Sequence, residues 1–414
     1  MKWSPGMTDV REPRDVAGAL HLRTRGSGPR LITASRIGQA NRARVLQVLH
    51  TGGPASRAQL ARELSVNRAT IATILQPLID TGALVEGPAV SAPVTGGKPA
   101  RPLWFGHDGP MLGGVQISPD RVEAALMGID GGIRLCESVD YGRTSTAEHL
   151  RAAIIAVTDK CFQGQEIIGI GVAASGMVNA STGQIISMHL TPALGGMEIG
   201  NFLGSRFGVP VLVDHHPRVQ ALGDRWFGLG RNIQDFASVY TGEALGFGIV
   251  YCGEIVRGKD GAGGESGHTT VQLDGIQCRC GRNGCWETIA TLGWLRETAG
   301  TLELPAAATM DCRQLVKLSR EKVPDAEKLL DTYARNLAVG MANNEQVLAS
   351  GTYIMHGDVC GGGEPMRLAL KRWMHEFSPH RGVPPVILLA ASPDQMSLLG
   401  GGGMVLSSAF STIA

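Results

Sequence analysis

Apolar side chains recur at helical spacing in three short runs between residues 37 and 86, and each run stops at a turn signal. Asn41, Val45, Leu46 and Leu49 make the first stripe, ended by Thr51-Gly52-Gly53-Pro54. A second helix opens at Ser56, whose hydroxyl can cap free amides while Gln59 reaches back, and it turns Leu60, Ala61 and Leu64 inward. Asn67 is the predicted cap of a third helix whose inward positions are Ile71, Ile74, Leu75, Leu78 and Ile79, and Gly82 ends it. The tight Leu64-Ser65-Val66 turn between the last two helices predicts a helix-turn-helix. Residues 83–86 and 102–105 read as two strands around a Gly, Pro and Ser-rich tip at 87–100, which makes a wing.

From residue 111 the apolar runs shorten and Gly turns separate them. Residues 111–117, 121–129 and 133–139 predict a three-strand meander, with Asp130-Gly131-Gly132 as one turn. Residues 167–172 and 210–214 are near-continuous apolar runs, as buried parallel strands are. A second meander at 236–241, 246–251 and 254–257, followed by buried strands at 353–357 and 386–391, repeats the succession. Two similar lobes with a cleft between them are therefore expected.

Charge separates the front from the rest. The chain has 38 basic and 37 acidic residues, yet residues 1–106 hold 14 Lys and Arg against 6 Asp and Glu. A basic module on an acidic body points to a polyanion partner for the front alone, and the outward positions of the third helix, Arg68, Thr70, Thr73 and Gln76, include no acid. We expect these, with Asn67, to face DNA bases, Ser56 and Arg57 to meet phosphate, and Lys98 and Arg101 to serve the wing. The expected organisation is a flexible basic tail at 1–35, a winged helix-turn-helix at 36–106 and an effector body at 107–414. Within the body, one lobe takes 107–230 plus the C-terminal helix and the other 231–395. No apolar h-region or membrane-length run is present, so a cytoplasmic protein without a membrane partner is expected.

Five of the eight cysteines stand apart in apolar or mixed surroundings, which argues against a disulfide framework. His268, Cys278, Cys280 and Cys285 cluster instead. Three thiolates and an imidazole suit a closed, structural zinc site, and Gly281-Arg282-Asn283-Gly284 lets the chain fold back to the ion.

These residues resemble the ROK family of repressors and sugar kinases. Gly264-Glu265-Ser266-Gly267-His268 is similar to its Glu-x-Gly-His motif, and Cys278-Arg279-Cys280-Gly281-Arg282-Asn283-Gly284-Cys285-Trp286-Glu287 to its zinc segment. Gly400-Gly401-Gly402 fits its closing helix region, and residues 41–86 resemble the front end of its repressor branch. The resemblance implies a two-lobed actin-like ATPase fold, a sugar or sugar-derivative effector, and a homodimer or homotetramer on a palindromic operator.

A kinase of this family needs a phosphate loop, a carboxylate base and a second Gly-rich turn. Gln116-Ile117-Ser118-Pro119-Asp120-Arg121 stands where Asp-x-Gly-Gly-Thr-Lys is expected, and Pro119 removes an amide donor. His216 replaces the catalytic Asp, and the second turn has become Gly242-Glu243-Ala244-Leu245-Gly246. No enzyme activity is expected. The resemblance gives an effector pocket of His189, His215, His216, Glu265, His268 and Glu287, with His189, His215 and His216 in place of the usual Asn and Asp contacts. Two readings stay open: a modified sugar, acidic or phosphorylated, that three histidines would suit, or loss of sugar binding and a scaffolding or protein-binding role.

Overall fold

A computed structural model describes residues 34–90, 99–258, 263–378, 382–391 and 395–409. The expected basic tail up to residue 33 and the wing position Lys98 lie outside the described residues. Helix α1 (Ala34–Gly52) buries Val45, Leu46 and Leu49. The two-residue strand β1 (Ala55–Ser56) leads into α2 (Arg57–Glu63), where the full capping box forms between Ser56 and Gln59. Ser65, with φ 53°, makes the left-handed turn into α3 (Arg68–Asp80), whose first free amide is taken by the Asn67 side chain. Strands β2 (Leu84–Glu86) and β3 (Pro102–Phe105) pair antiparallel. β1 adds to the far side of β3, an edge too short to be seen in the sequence pattern.

The body contains two sheets of the same design. In the first, β4 (Met111–Ile117), β5 (Arg121–Gly128) and β6 (Ile133–Asp140) form the expected meander, followed by α4 (Ala147–Phe162) and β7 (Ile167–Ala174). A small hairpin, β8 (Met177–Asn179) and β9 (Gln184–Ser187), precedes α5 (Ile199–Phe207), β10 (Val211–His215) and α6 (His216–Trp226). The strand order is β10-β7-β4-β5-β6, with the β4–β7 and β7–β10 pairings parallel.

In the second sheet, β11 (Phe236–Thr241), β12 (Leu245–Tyr251) and β13 (Glu254–Ile255) repeat the meander. Helices α7 (Leu292–Thr301), α8 (Cys312–Arg320) and α9 (Ala326–Leu348) follow. β14 (Thr352–Gly357), α10 (Asp358–Gly361), α11 (Gly363–Glu376) and β15 (Val386–Leu389) complete the lobe. The order β13-β12-β11-β14-β15, with β14 and β15 parallel to β11, matches the first sheet strand for strand. This is the two-lobed α/β architecture expected from the repeated succession of meander and crossover.

Helix α12 (Met396–Ala409) returns to the first lobe and packs on α6, β4 and β7. Its glycines explain how it fits: a Cβ on Gly400 would lie 1.9 Å from the Val219 carbonyl oxygen, and one on Gly401 2.6 Å from that of Gly171. No side chain can occupy these positions without moving the backbone it rests on. One hydrophobic core runs from Leu46, Leu49 and Leu75 of the front module into Leu112, Met127, Trp226 and Met404 of the first lobe. Among the described residues, no helix is long and apolar enough to cross a membrane.

Candidate functional site

Two hairpin turns occupy equivalent places in the two sheets, and in both the backbone carbonyls accept hydrogen bonds from residues outside the turn. In the β4–β5 turn, the Tyr141 hydroxyl donates to the Ser118 carbonyl, the Tyr141 amide to that of Asp120 at 2.7 Å, and the Thr191 hydroxyl to that of Pro119. Asp120 pairs with Arg143 at 3.4 Å. In the β11–β12 turn, Gly242 accepts from the Leu292 amide at 2.9 Å and the Glu243 carbonyl from Arg279 at 3.2 Å. The Glu243 carboxylate is bound to Arg296 at 2.6 Å. Each turn thus carries an acid where a polyphosphate would need amide donors and positive charge.

At the mouth of α6 the chain collects charge. Asp214 is buried and accepts from Arg218 at 2.7 Å, one helical turn on, and from Arg257 at 2.9 Å. His215 lies 3.5 Å from Glu265, while His216, buried at the first turn of α6, meets the Tyr240 ring edge-on at 4.9 Å. Burial, and then the Arg218 charge, push His215 down to about 3, so it is neutral at physiological pH. Burial raises Glu265, and Arg218 and His268 oppose that shift. The expectation that histidines would supply positive charge for an acidic ligand therefore fails at His215. The permanent cations are Arg218 and Arg257, which the sequence reading missed. Arg218 was within reach of the i,i+4 rule from Asp214, whereas Arg257 carries no local signal.

The Cys-rich segment is folded back as its glycines predict. The Cys278 amide donates to the Arg282 carbonyl at 2.7 Å, and Gly281 and Gly284 take φ of 88° and 67°. The ligand atoms of His268, Cys278, Cys280 and Cys285 all lie within 4.8 Å of one another. The Sγ atoms of Cys280 and Cys285 are 3.6 Å apart, close to the roughly 3.8 Å edge of a zinc–thiolate tetrahedron. Burial, reinforced by the neighbouring thiols, pushes Cys285 up to about 12, while a backbone hydrogen bond at Arg282 draws Cys280 down. A thiol trio of this kind, with Cys278 and Cys285 buried and Cys280 partly exposed, fits a soft dication, which would deprotonate all three.

Trp286, fully buried, anchors the segment: its indole N–H donates to the Asn336 carbonyl at 2.8 Å, and Gly340 leaves room for its ring. His268 turns Nδ1 toward Cys278 at 3.6 Å and Glu287 at 3.8 Å. Glu287 uses its other oxygen to hold the Leu245 amide at 3.3 Å, so this carboxylate joins the Cys segment to the β11–β12 turn. His215, Glu265, His268 and Glu287 are thus brought together near the start of α6. His189 is exposed after β9 and no hydrogen bond or ion pair joins it to that group among the described residues.

On the front module, Arg68, Thr73 and Gln76 are exposed on α3, with Asn67 exposed at its cap and Thr70 partly covered. Gln76 donates to Asp80 at 2.7 Å, and Asn67 accepts from the Thr70 amide at 2.8 Å. Ser56 and Arg57 are placed differently from the expectation of phosphate contact. Ser56 is buried, with its oxygen used in the cap, and Arg57 is paired with Glu86 of β2 at 2.8 Å. Arg101 is exposed.

Comparison with known proteins agrees with this architecture. A xylose repressor of Bacillus spizizenii is 24% identical over 74% of this chain and 79% of its own length. A glucokinase of Streptomyces coelicolor is 25% identical over 63% of this chain and 87% of its own. The crystal structure of a ROK family transcriptional regulator, a homologue of the E. coli MLC protein, superposes with a TM-score of 0.75 over 91% of this chain and 97% of that one, at 21% identity. The ROK family model matches residues 112–407, and the chain belongs to the ROK family.

Proposed function

We propose that the protein is a sugar-responsive DNA-binding repressor of carbohydrate-related genes. Residues 36–106 act as a winged helix-turn-helix and residues 107–414 as an effector body without phosphoryl-transfer activity. The repressors among its relatives support the DNA-binding half, although the family also contains sugar kinases. The observation that supports the loss of catalysis is the pair of hairpin turns, each carrying an ion-paired acid, at Asp120 and Glu243. His216 in place of a catalytic carboxylate, packed beneath Tyr240, agrees with it.

In this reading Arg68, Thr73 and Gln76, with Asn67 and Thr70, face base edges from α3, and Arg101 and Lys98 serve the wing. His268, Cys278, Cys280 and Cys285 hold a structural zinc ion, which organises the segment leading to Glu287. A sugar or sugar derivative binds among His215, His216, Glu265, His268 and Glu287, where the carboxylates accept from vicinal hydroxyls. Its binding is coupled reciprocally to operator affinity in a homodimer or homotetramer on a palindromic site.

The test is a mobility-shift titration of the full chain on its upstream DNA, with D-xylose, hexoses, sugar acids and sugar phosphates. A protected palindrome released by one of these is expected. Arg68→Ala should weaken binding by about 1–3 kcal/mol. Unchanged affinity would remove Arg68 from the interface, and sugar-dependent ATP turnover would overturn the non-catalytic reading. The replaced grip at His215 and His216 favours one second reading, a scaffold without a sugar, which predicts DNA binding that no sugar alters.

A further inference from the structure

The last residue of α1 to carry a side chain into the body is His50. Its ring stacks on Phe105 of β3 at 4.3 Å and meets Trp226 and Phe227 edge-on at 5.9 and 5.1 Å. One ring nitrogen is bonded to the Ile129 backbone; the other, Nε2, is buried without a hydrogen-bond partner. Arg231 donates to the His50 carbonyl at 3.2 Å. The floor of this socket is firm, because a Cβ on Gly131 would stand 2.5 Å from the Phe227 ring. Trp226 is the last residue of α6, and α6 begins with His216 at the cleft. One rod of about 16 Å therefore runs from the effector corner to the socket. Near its socket end, Asp224 is bound to His356 of β14 at 2.8 Å, fully buried, so the rod is also tied to the second lobe.

We infer that His50 is the positioning residue that seats the DNA-reading module on the end of α6, and that α6 carries movement of the cleft to that module. The second clause rests on the sugar-effector reading; the first does not. A neutral imidazole suits the socket. The charged groups facing it are Asp130, itself paired with Arg134, and Arg231; the remaining walls are aromatic rings. Burial holds the ring down to about 4, with Asp130 and the Ile129 bond opposing it and Arg231 assisting. The sign follows from linkage. The unseated histidine titrates at its ordinary 6.5 and binds more protons than the seated one between pH 6.5 and 4, so seating weakens as pH falls through that window. Between pH 7.5 and 5.5 the loss is about tenfold in the seating equilibrium.

Hydrogen exchange of the full chain tests both clauses. In the wild type, amides of residues 46–52 and 103–105, corrected for intrinsic rates, should exchange about tenfold faster at pH 5.5 than at 7.5, while residues 247–250 hold. His50→Ala should exchange that fast already at pH 7.5, and His50→Phe, which keeps the ring and loses the proton, should stay protected at both. Equal protection of wild type and His50→Ala, or no pH response in the wild type, would overturn the socket. For the rod, D-xylose and the wider sugar panel are added at pH 7.5. A sugar that slows exchange at residues 215–220 should change residues 46–52 in the wild type and not in His50→Ala. Slowing at 215–220 with no change at 46–52 in the wild type overturns the rod. If no sugar affects residues 215–220, the effector reading fails and the rod with it, while the pH arm still decides the socket.

Discussion

The β4–β5 and β11–β12 turns occupy equivalent corners of equivalent sheets, and they are bonded in different ways. The first is sealed from within its own lobe by Tyr141, Thr191 and Arg143, and leads nowhere else. The second is wired into the Cys segment through Arg279 and, by way of the Leu245 amide, into Glu287 beside His268. One turn is a plug within its own lobe and the other supports the corner that holds Glu287 and His268. A turn carbonyl can be satisfied from its own lobe or from a neighbouring segment, and the choice of partner decides what the turn supports.

That contrast can be broken most forcefully at the His268, Cys278, Cys280 and Cys285 cluster. Chelation, or Cys285→Ser, should melt the second turn with the Cys segment and lower Tm by on the order of 10 °C in calorimetry, leaving exchange in residues 111–128 unchanged. A chelator-insensitive transition in protein shown to contain no metal would mean the cluster is held by packing alone. Gly340→Ala comes next. Its Cβ would lie 2.0 Å from the Trp286 ring, so the anchor of the segment is forced out of α9 at a cost of about 2 kcal/mol in denaturant unfolding.

Arg296→Ala releases Glu243 from a partly exposed pair, and a loss of about 0.5 kcal/mol is expected, diminished further in high salt. The smallest effect belongs to the plug. Pro119→Gly combined with Asp120→Gly should change stability by no more than about 0.5 kcal/mol and leave ATP hydrolysis absent, because Tyr141 and Thr191 still occupy the neighbouring carbonyls. Recovered turnover would show that the first turn alone had silenced the site.

Much of the frame was legible because its punctuation is local. Both meanders, the caps at Ser56 and Asn67 and the stop at Gly82 stand where glycine, hydroxyl and amide side chains act within a few residues. The Cys segment was equally legible, since its ligands sit on one folded-back loop. What escaped depends on distance along the chain. β1 is two residues long and exists only because Leu103 lies beside Ala55. Arg257 reaches Asp214 across 43 residues, and His356 reaches Asp224 across 132. His189 shows the converse: the family resemblance puts it in the pocket, and it lies exposed just past β9.

The uninterrupted core between α1 and the first lobe bears on how such proteins can be recombined. A reader grafted from another family member would bring its own apolar face to a surface shaped by Trp226, Phe227 and Met404, and would fit only if both halves of the seam were exchanged together. Operator preference in this architecture is thus inherited with a matching patch of the body, and cannot be swapped as an independent cassette.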